Sequence, residues 1–407
     1  MPLARTRVTR ASMVPVGGVA LAIVRVASRL SAAIRGDTRP KDELPTAIAK
    51  DSERNRRVLA KLHRLKQPYE VVSGLGNGHV ETIFAAFFRS QPDVRYHRDL
   101  ILCTTDGGCV ALDWPVEASQ ENEKWAWDDL PDDAPVVVLF PGLTGGSGDS
   151  YVKHMVLSCR KHGMRAVVFN SRSTADSPVT TPQFYSASFT GDAKDVMLHV
   201  HSKYPNALLF AAGWSLGANI LVRYLGEVGE DTPLRAAISL CNPFDLTLSD
   251  RNFQRGFNRI YDYKLGRTLS RMFKKHMHLF DGMEGQGFKP HIAANSYTIR
   301  DFDEAVTRVS FGFDSVDEYY EWSGSCHMIP KVRIPLLCVQ AADDPIAPAH
   351  AIPYDELRCN DNCILVVTPY GGHLGWISGE TAPFGAPWTD SLCTDFLNTM
   401  KEELVRL

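Results

Sequence analysis

Ser215 stands in Gly213-Trp214-Ser215-Leu216-Gly217, a G-x-S-x-G pattern. The apolar run 207–210 before it is strand-like, and 220–225 after it has helical spacing. A serine on so sharp a strand-to-helix turn is held in a strained backbone conformation with its Oγ pushed outward. Gly213 and Gly217 suit that turn because a Cβ at either would crowd the crossing. The first N–H groups of the following helix are unpaired and lie at its positive end, ready for an oxyanion. The chemistry implied is nucleophilic attack on a carbonyl. That chemistry needs a base to take the serine proton and a third group to orient the base.

His373 is placed to be that base. It lies in Gly371-Gly372-His373-Leu374-Gly375, a glycine-bounded loop just after the last strand-like run, 364–367. For the acid, Asp343 and Asp344 close the run 336–340. Asp344 is chosen because Pro345 follows directly and Pro348 completes D-x-x-x-P; Asp343 is then expected to cap the next turn. Asp245, after the run 236–240, is the alternative. The oxyanion donors, assigned by position, are the backbone N–H groups of Leu216 and of Leu143, the latter in the loop after the run 136–140.

These residues need elements to carry them. The runs 136–140, 166–169, 207–210, 236–240, 336–340 and 364–367 are continuous and apolar, as in a parallel sheet buried on both faces. Helical patterns separate the early ones, with Val152, Met155, Val156 and Cys159 on one stripe and a second helix over 191–204. The alternation implies an α/β fold with a mostly parallel, doubly wound sheet. Runs 99–103 and 109–114 around Asp106-Gly107-Gly108 form a hairpin. The stretch 73–79 lacks the lysine a phosphate-binding loop requires, so it is taken as an ordered turn. Between 247 and 333 no such strand occurs. Arg251, Arg255, Arg259, Lys264, Arg267 and Arg271 alternate there with apolar residues, the mark of a helical, lid-like insertion. Its basic side is either a merely solvated face, the favoured reading, or a surface for anionic lipid headgroups.

The 407 residues, 44% hydrophobic and 22% charged, fit one large α/β domain with an insertion. A net charge of −3 and the lack of any finger, helix-turn-helix or RNA-binding signature give no reason to expect nucleic acid. The nine scattered cysteines read as free thiols, without metal-ligand spacing. The organisation expected is a basic, apolar N-terminal segment over 1–36, a helical lead-in over 37–77, and the main domain over 78–407. The first segment holds Arg5, Arg7, Arg10, Arg25, Arg29 and Arg35 with no acid before Asp37. It reads as a membrane anchor, with an organellar transit peptide or a basic tail on a cytoplasmic protein as alternatives.

Taken jointly, several stretches resemble the α/β-hydrolase superfamily. Within it the chain is similar to the group of bacterial YheT-like esterases, plant embryogenesis-associated proteins and animal membrane-anchored phospholipase-type members. The matching residues are Gly78-His79 with Glu81-Thr82, Pro141-Gly142-Leu143-Thr144-Gly145, Thr181-Pro182 before Tyr185-Ser186-Ala187, the Gly213–Asn219 stretch, Phe311-Gly312-Phe313 with Tyr319-Tyr320, Asp343-Asp344-Pro345 and Gly371-Gly372-His373. The resemblance implies Ser215, Asp344 and His373 as a charge-relay triad acting on a carboxylic or lipid ester, with no cofactor and no metal. Some relatives carry H-x-x-x-x-D at the catalytic histidine; here Ser378 replaces the aspartate, so that motif gives acyl transfer no support. The remaining rivals are an acyltransferase using the same acyl-enzyme and a catalytically silent binding scaffold.

Overall fold

A computed structural model describes residues 43–117, 124–125 and 129–405. The segment 1–36, read above as anchor, transit peptide or tail, lies outside the described residues. The strands are β1 (Thr46–Ala49), β2 (Arg95–Leu102), β3 (Cys109–Glu117), β4 (Lys124–Trp125), β5 (Val136–Phe140), β6 (Arg165–Asn170), β7 (Leu209–Trp214), β8 (Leu234–Leu240), β9 (Leu336–Ala341) and β10 (Cys363–Thr368). They form one sheet in the order β1-β10-β9-β8-β7-β5-β6-β3-β2, with β4 pairing to β3. The run from β10 to β6 is parallel throughout, and the antiparallel pairs lie at its margins.

Both faces of the parallel strands are covered, which is why those segments are apolar at every position. Along β5, Val137 and Leu139 join the cluster beneath α1 (Glu53–Lys61), α3 (Ser150–Lys161) and α10 (Trp388–Val405). Val136, Val138 and Phe140 face the opposite cluster, under α4 (Gly191–Lys203), α5 (Leu216–Val228) and α9 (Tyr354–Cys359). The chain leaves β5 toward β6 on one side and returns to β7 on the other, so the carboxyl ends of β5 and β7 flank a topological switch point. Open α/β sheets bind ligands at that place.

The expected lead-in over 37–77 contributes more than a helix. Its Thr46–Ala49 is an edge strand of the main sheet, antiparallel to β10 with Ala47 opposite Val366. Four residues carry too little periodicity to signal a strand, and pairing with β10 supplies the order that propensity does not. The Gly-rich stretch 73–77 is a turn, and Asn77 caps α2 (Gly78–Phe88) by accepting the His79 and Val80 N–H groups.

Between β8 and β9 the described chain is helical: α6 (Leu246–Phe253), α7 (Asn258–Lys274), several short turns and α8 (Val316–Ser323). It has its own apolar cluster, in which Leu269, Phe273, Phe280 and Phe302 close around Phe184 and Tyr185 from the loop after β6.

That loop is held by a buried cation. Arg172 donates to both oxygens of Asp192 at 2.8 Å and to Asp106 at 2.6 and 2.9 Å, while Thr181 donates to Asp106 at 2.5 Å. Replacing Arg172 by Met would leave two carboxylates without their counter-charge. Urea unfolding should register a loss of about 3 kcal/mol or more. The Arg172 bonds hold the Asp106 carboxyl below the ordinary carboxylate range despite some burial. A depressed carboxyl stabilises the fold above its unfolded value and loses that contribution as pH falls. The gap between wild type and Arg172→Met should therefore narrow in acid, and a constant gap down to the acid transition would refute this account.

Candidate active site

The turn after β7 holds Ser215 at φ +52°, ψ −121°, a conformation that costs a non-glycine residue about 1–3 kcal/mol. The flanking glycines are there for space. A Cβ on Gly213 would lie 2.7 Å from the Gly217 carbonyl oxygen, and one on Gly217 would lie 2.2 Å from that of Phe140. The Ser215 N–H donates to the Leu240 carbonyl at 2.9 Å, which ties the turn to β8. Asn219, the fourth residue of α5, donates to the Ala187 and Ser323 carbonyls and accepts the Ser325 N–H.

His373 and Asp344 reach the same point. Asp344 Oδ2 lies 2.9 Å and Oδ1 3.1 Å from His373 Nδ1, and His373 Nε2 lies 2.9 Å from Ser215 Oγ. With the carboxylate accepting from Nδ1–H, Nε2 is left as the acceptor for the serine hydroxyl. Asp344 Oδ1 also accepts the Ile346 and Ala347 N–H groups at 2.8 Å each, so this carboxylate caps the turn that had been expected of Asp343. Asp343 instead accepts the Gly372 N–H at 2.9 Å, since its side chain points across to the histidine loop. Asp245 is elsewhere: it caps α6 through the Leu248 N–H.

In the loop after β5, the N–H groups of Gly142, Thr144, Gly146 and Ser147 go to Tyr151, Tyr185, Asp149 and Asn170 respectively, and that of Gly145 to the Gly142 carbonyl. The Leu143 N–H has no hydrogen-bond partner among the described residues. Gly142 passes so near the turn that a Cβ there would meet Ser215 Cβ at 3.2 Å. Leu216 opens α5, and its N–H is one of that helix's orphan donors. Tyr151, which holds this loop, had no signal of its own in the sequence; Tyr185 stood in a matching stretch that did not reveal the contact.

The histidine loop is gripped by α2. Thr82 Oγ1 accepts the His373 N–H at 2.8 Å, Glu81 accepts the Ile377 N–H at 2.9 Å, and Arg89 donates to the Leu374 and Gly375 carbonyls. Gly78 abuts β9's end, where a Cβ would sit 1.9 Å from the Asp343 carbonyl oxygen. Burial, then the nearby Asp343 charge, raise the Glu81 carboxyl from 4.5 to about 8, against the bonds from Ile377 and Tyr69.

A cavity of about 570 Å³ opens onto Ser215 and His373. Its walls are largely apolar, including Leu143, Leu246, Phe253, Leu265 and Phe302. Polar side chains reach it as well, among them Arg89, Asp149, Asp250, Lys264 and Asp303. Asp303 accepts from the Tyr320 hydroxyl at 2.9 Å, and burial raises its carboxyl to about 7 in spite of the Thr307 and Tyr320 bonds. Among the described residues no cluster of metal-ligating side chains occurs, and all nine cysteines are free.

Comparison with known proteins gives a consistent frame. The family described as alpha/beta hydrolase fold matches residues 135–380. The embryogenesis-associated protein EMB8 of Picea glauca is 52% identical over 365 residues, covering 89% of this chain and 78% of the relative. Phospholipase ABHD3 of Mus musculus is 36% identical, covering 79% and 76%. A monoacylglycerol lipase of Saccharomyces cerevisiae is 32% identical, covering 81% and 80%.

Two predictions follow from the packing around the serine and histidine. Gly217→Ala should be destabilised by about 1–3 kcal/mol in urea unfolding, because its methyl must displace backbone carbonyls rather than a side chain. For Glu81, the raised folded pKa means the folded state keeps a proton that the unfolded chain releases. Stability should fall as pH rises from about 4.5 to about 8. Glu81→Gln, which imitates the protonated acid, should flatten that slope; an unchanged slope across this window would exclude Glu81 as its source.

Proposed function

The chain belongs to the alpha/beta hydrolase fold family, and from that premise we propose that it is a serine hydrolase of carboxylic esters acting through an acyl-enzyme on Ser215. The observation that carries the reading is the continuous line from Asp344 through His373 to Ser215 Oγ, each step near 2.9 Å. Ser215 Oγ attacks the ester carbonyl while His373 Nε2 takes its proton. Asp344 holds the imidazole in the required tautomer and stabilises the imidazolium. The charge that develops on the carbonyl oxygen is received by the Leu143 and Leu216 N–H groups, each worth about 3–4 kcal/mol in such a site. His373 then returns the proton to the leaving alcohol. Water, deprotonated by the same histidine, releases the acid.

Lipid esters are the substrate class we favour. The apolar cavity accepts an acyl chain, and two relatives are named as a phospholipase and a monoacylglycerol lipase. The helical segment 247–333 serves as the lid over that cavity. The 1–36 segment supplies membrane association. Among the described residues no helix is long and apolar enough to cross a membrane.

The test is fluorophosphonate labelling of the purified protein beside Ser215→Ala, with p-nitrophenyl esters of graded chain length assayed in parallel. Wild type alone should label, and the mutant's kcat should fall by something like ~10⁶-fold. Turnover that rises with acyl length would support the lipid assignment. A folded wild type that neither labels nor turns over any ester would leave the binding-scaffold reading in its place.

A further inference from the structure

The mouth of the cavity has an unusual rim. On one lip, α2 presents Phe87, which lines the cavity and is 68% exposed. Phe84 lies beside it on the same helix and packs against Phe88 at 5.1 Å and Phe384 at 5.5 Å, the last also largely exposed. On the other lip, Ile260 of α7 lines the cavity and is 48% exposed. Lys264 follows one turn later, exposed and cavity-lining, and Arg267 and Arg271 continue the stripe at i+7 and i+11.

Charge is concentrated on this same segment. Between 247 and 275 there are eight Lys and Arg against two Asp, in a chain whose formal net charge is −3. Both acids are engaged within the insertion: Asp250 pairs with Arg300 at 2.9 Å, and Asp262 accepts the Ile299 N–H at 2.8 Å. Arg251, Arg255, Lys264 and Arg271 make no ion pair among the described residues.

We propose that the exposed faces of α2 and α7 form a docking surface for an anionic lipid bilayer, which seats the cavity mouth on the membrane. A merely solvated face accounts for the arginines and lysines. It does not account for Phe87 and Ile260, which line the cavity and stand exposed to water. An interfacial helix places its apolar side at the headgroup–acyl boundary and its Lys and Arg among the headgroups, and these two lips offer that pairing. Because Phe87 and Ile260 face both the outside and the cavity, an acyl chain could pass from bilayer to cavity along an apolar path. The proposal concerns binding and stands whether or not Ser215 is a nucleophile.

The experiment is hydrogen exchange on the full chain with phosphatidylcholine vesicles, with and without phosphatidylserine. Amides in 83–88 and 256–271 should gain protection on the anionic vesicles, and the gain should shrink as salt screens the surface charge. Arg259→Glu and Arg271→Glu, neither of which lines the cavity, should lower vesicle affinity at least about five-fold per reversed residue. Turnover of a short soluble ester should be unchanged in both. Vesicle binding without protection of these two segments would show that another part of the chain holds the membrane and would overturn the proposal. Protection equal on neutral and anionic vesicles, indifferent to the substitutions, would overturn it as well.

Discussion

The crossing of β7 and α5 beneath the end of β5 sets the terms for everything around it. A side chain at 217 would run into the Phe140 and Pro141 carbonyl oxygens at 2.2 and 2.3 Å. The helix can therefore approach the strand only with glycine there, and Ser215 must absorb the reversal in a conformation with positive φ. Parallel pairing places Phe140 opposite Gly213. The loop leaving β5 consequently starts beside the serine, where a Cβ on Gly142 would meet Ser215 Cβ at 3.2 Å. A single steric constraint thus sets both the strain at the serine and the start of the neighbouring loop beside it.

Carboxylates near this point differ in environment more than in sequence. Asp344, 5% exposed, accepts two backbone N–H groups and lies 2.9 Å from His373 Nδ1. Glu81, a few residues away in space, is raised to about 8, and Asp303 on the cavity wall to about 7, by burial that their hydrogen bonds only partly offset. At Glu81 the Ile377 N–H and the Tyr69 hydroxyl, and at Asp303 the Thr307 and Tyr320 hydroxyls, offset that burial only in part.

What could be seen in the sequence was local. Ser215, Asp344 and His373 each sit in a short glycine- or proline-marked turn at the end of an apolar run, so their types and spacing were visible without the fold. The parallel strands were visible for the same reason, being apolar at every position. Thr46–Ala49 was missed because four small residues show no period, and only pairing to β10 makes them a strand. Asp343 was given the turn-capping role that Asp344 fills, because adjacent carboxylates look alike until their directions are known. The grip of Thr82, Glu81 and Arg89 on the histidine loop spans nearly three hundred residues of chain. The matched stretch around Gly78 and Thr82 pointed at it without revealing the contact.

That grip also explains why α2 has two unlike sides. Positions 78, 81, 82, 85 and 89 turn inward, where they pack on Asp343 and hold the loop 372–377. His79 faces the insertion: its Nδ1 lies 3.0 Å from the Tyr261 hydroxyl, and its ring stacks on Tyr261 at an interplanar angle of 8° and meets Phe257 edge-on. One turn and two turns further, Ile83 and Phe87 continue that side to the cavity and its rim. One helix of eleven residues therefore touches the histidine loop on one face and α7 on another. A displacement of α7 that carries Tyr261 away must break the contact with His79 in the same motion. The contact with α7 and the grip on the histidine loop are thus carried by one helix.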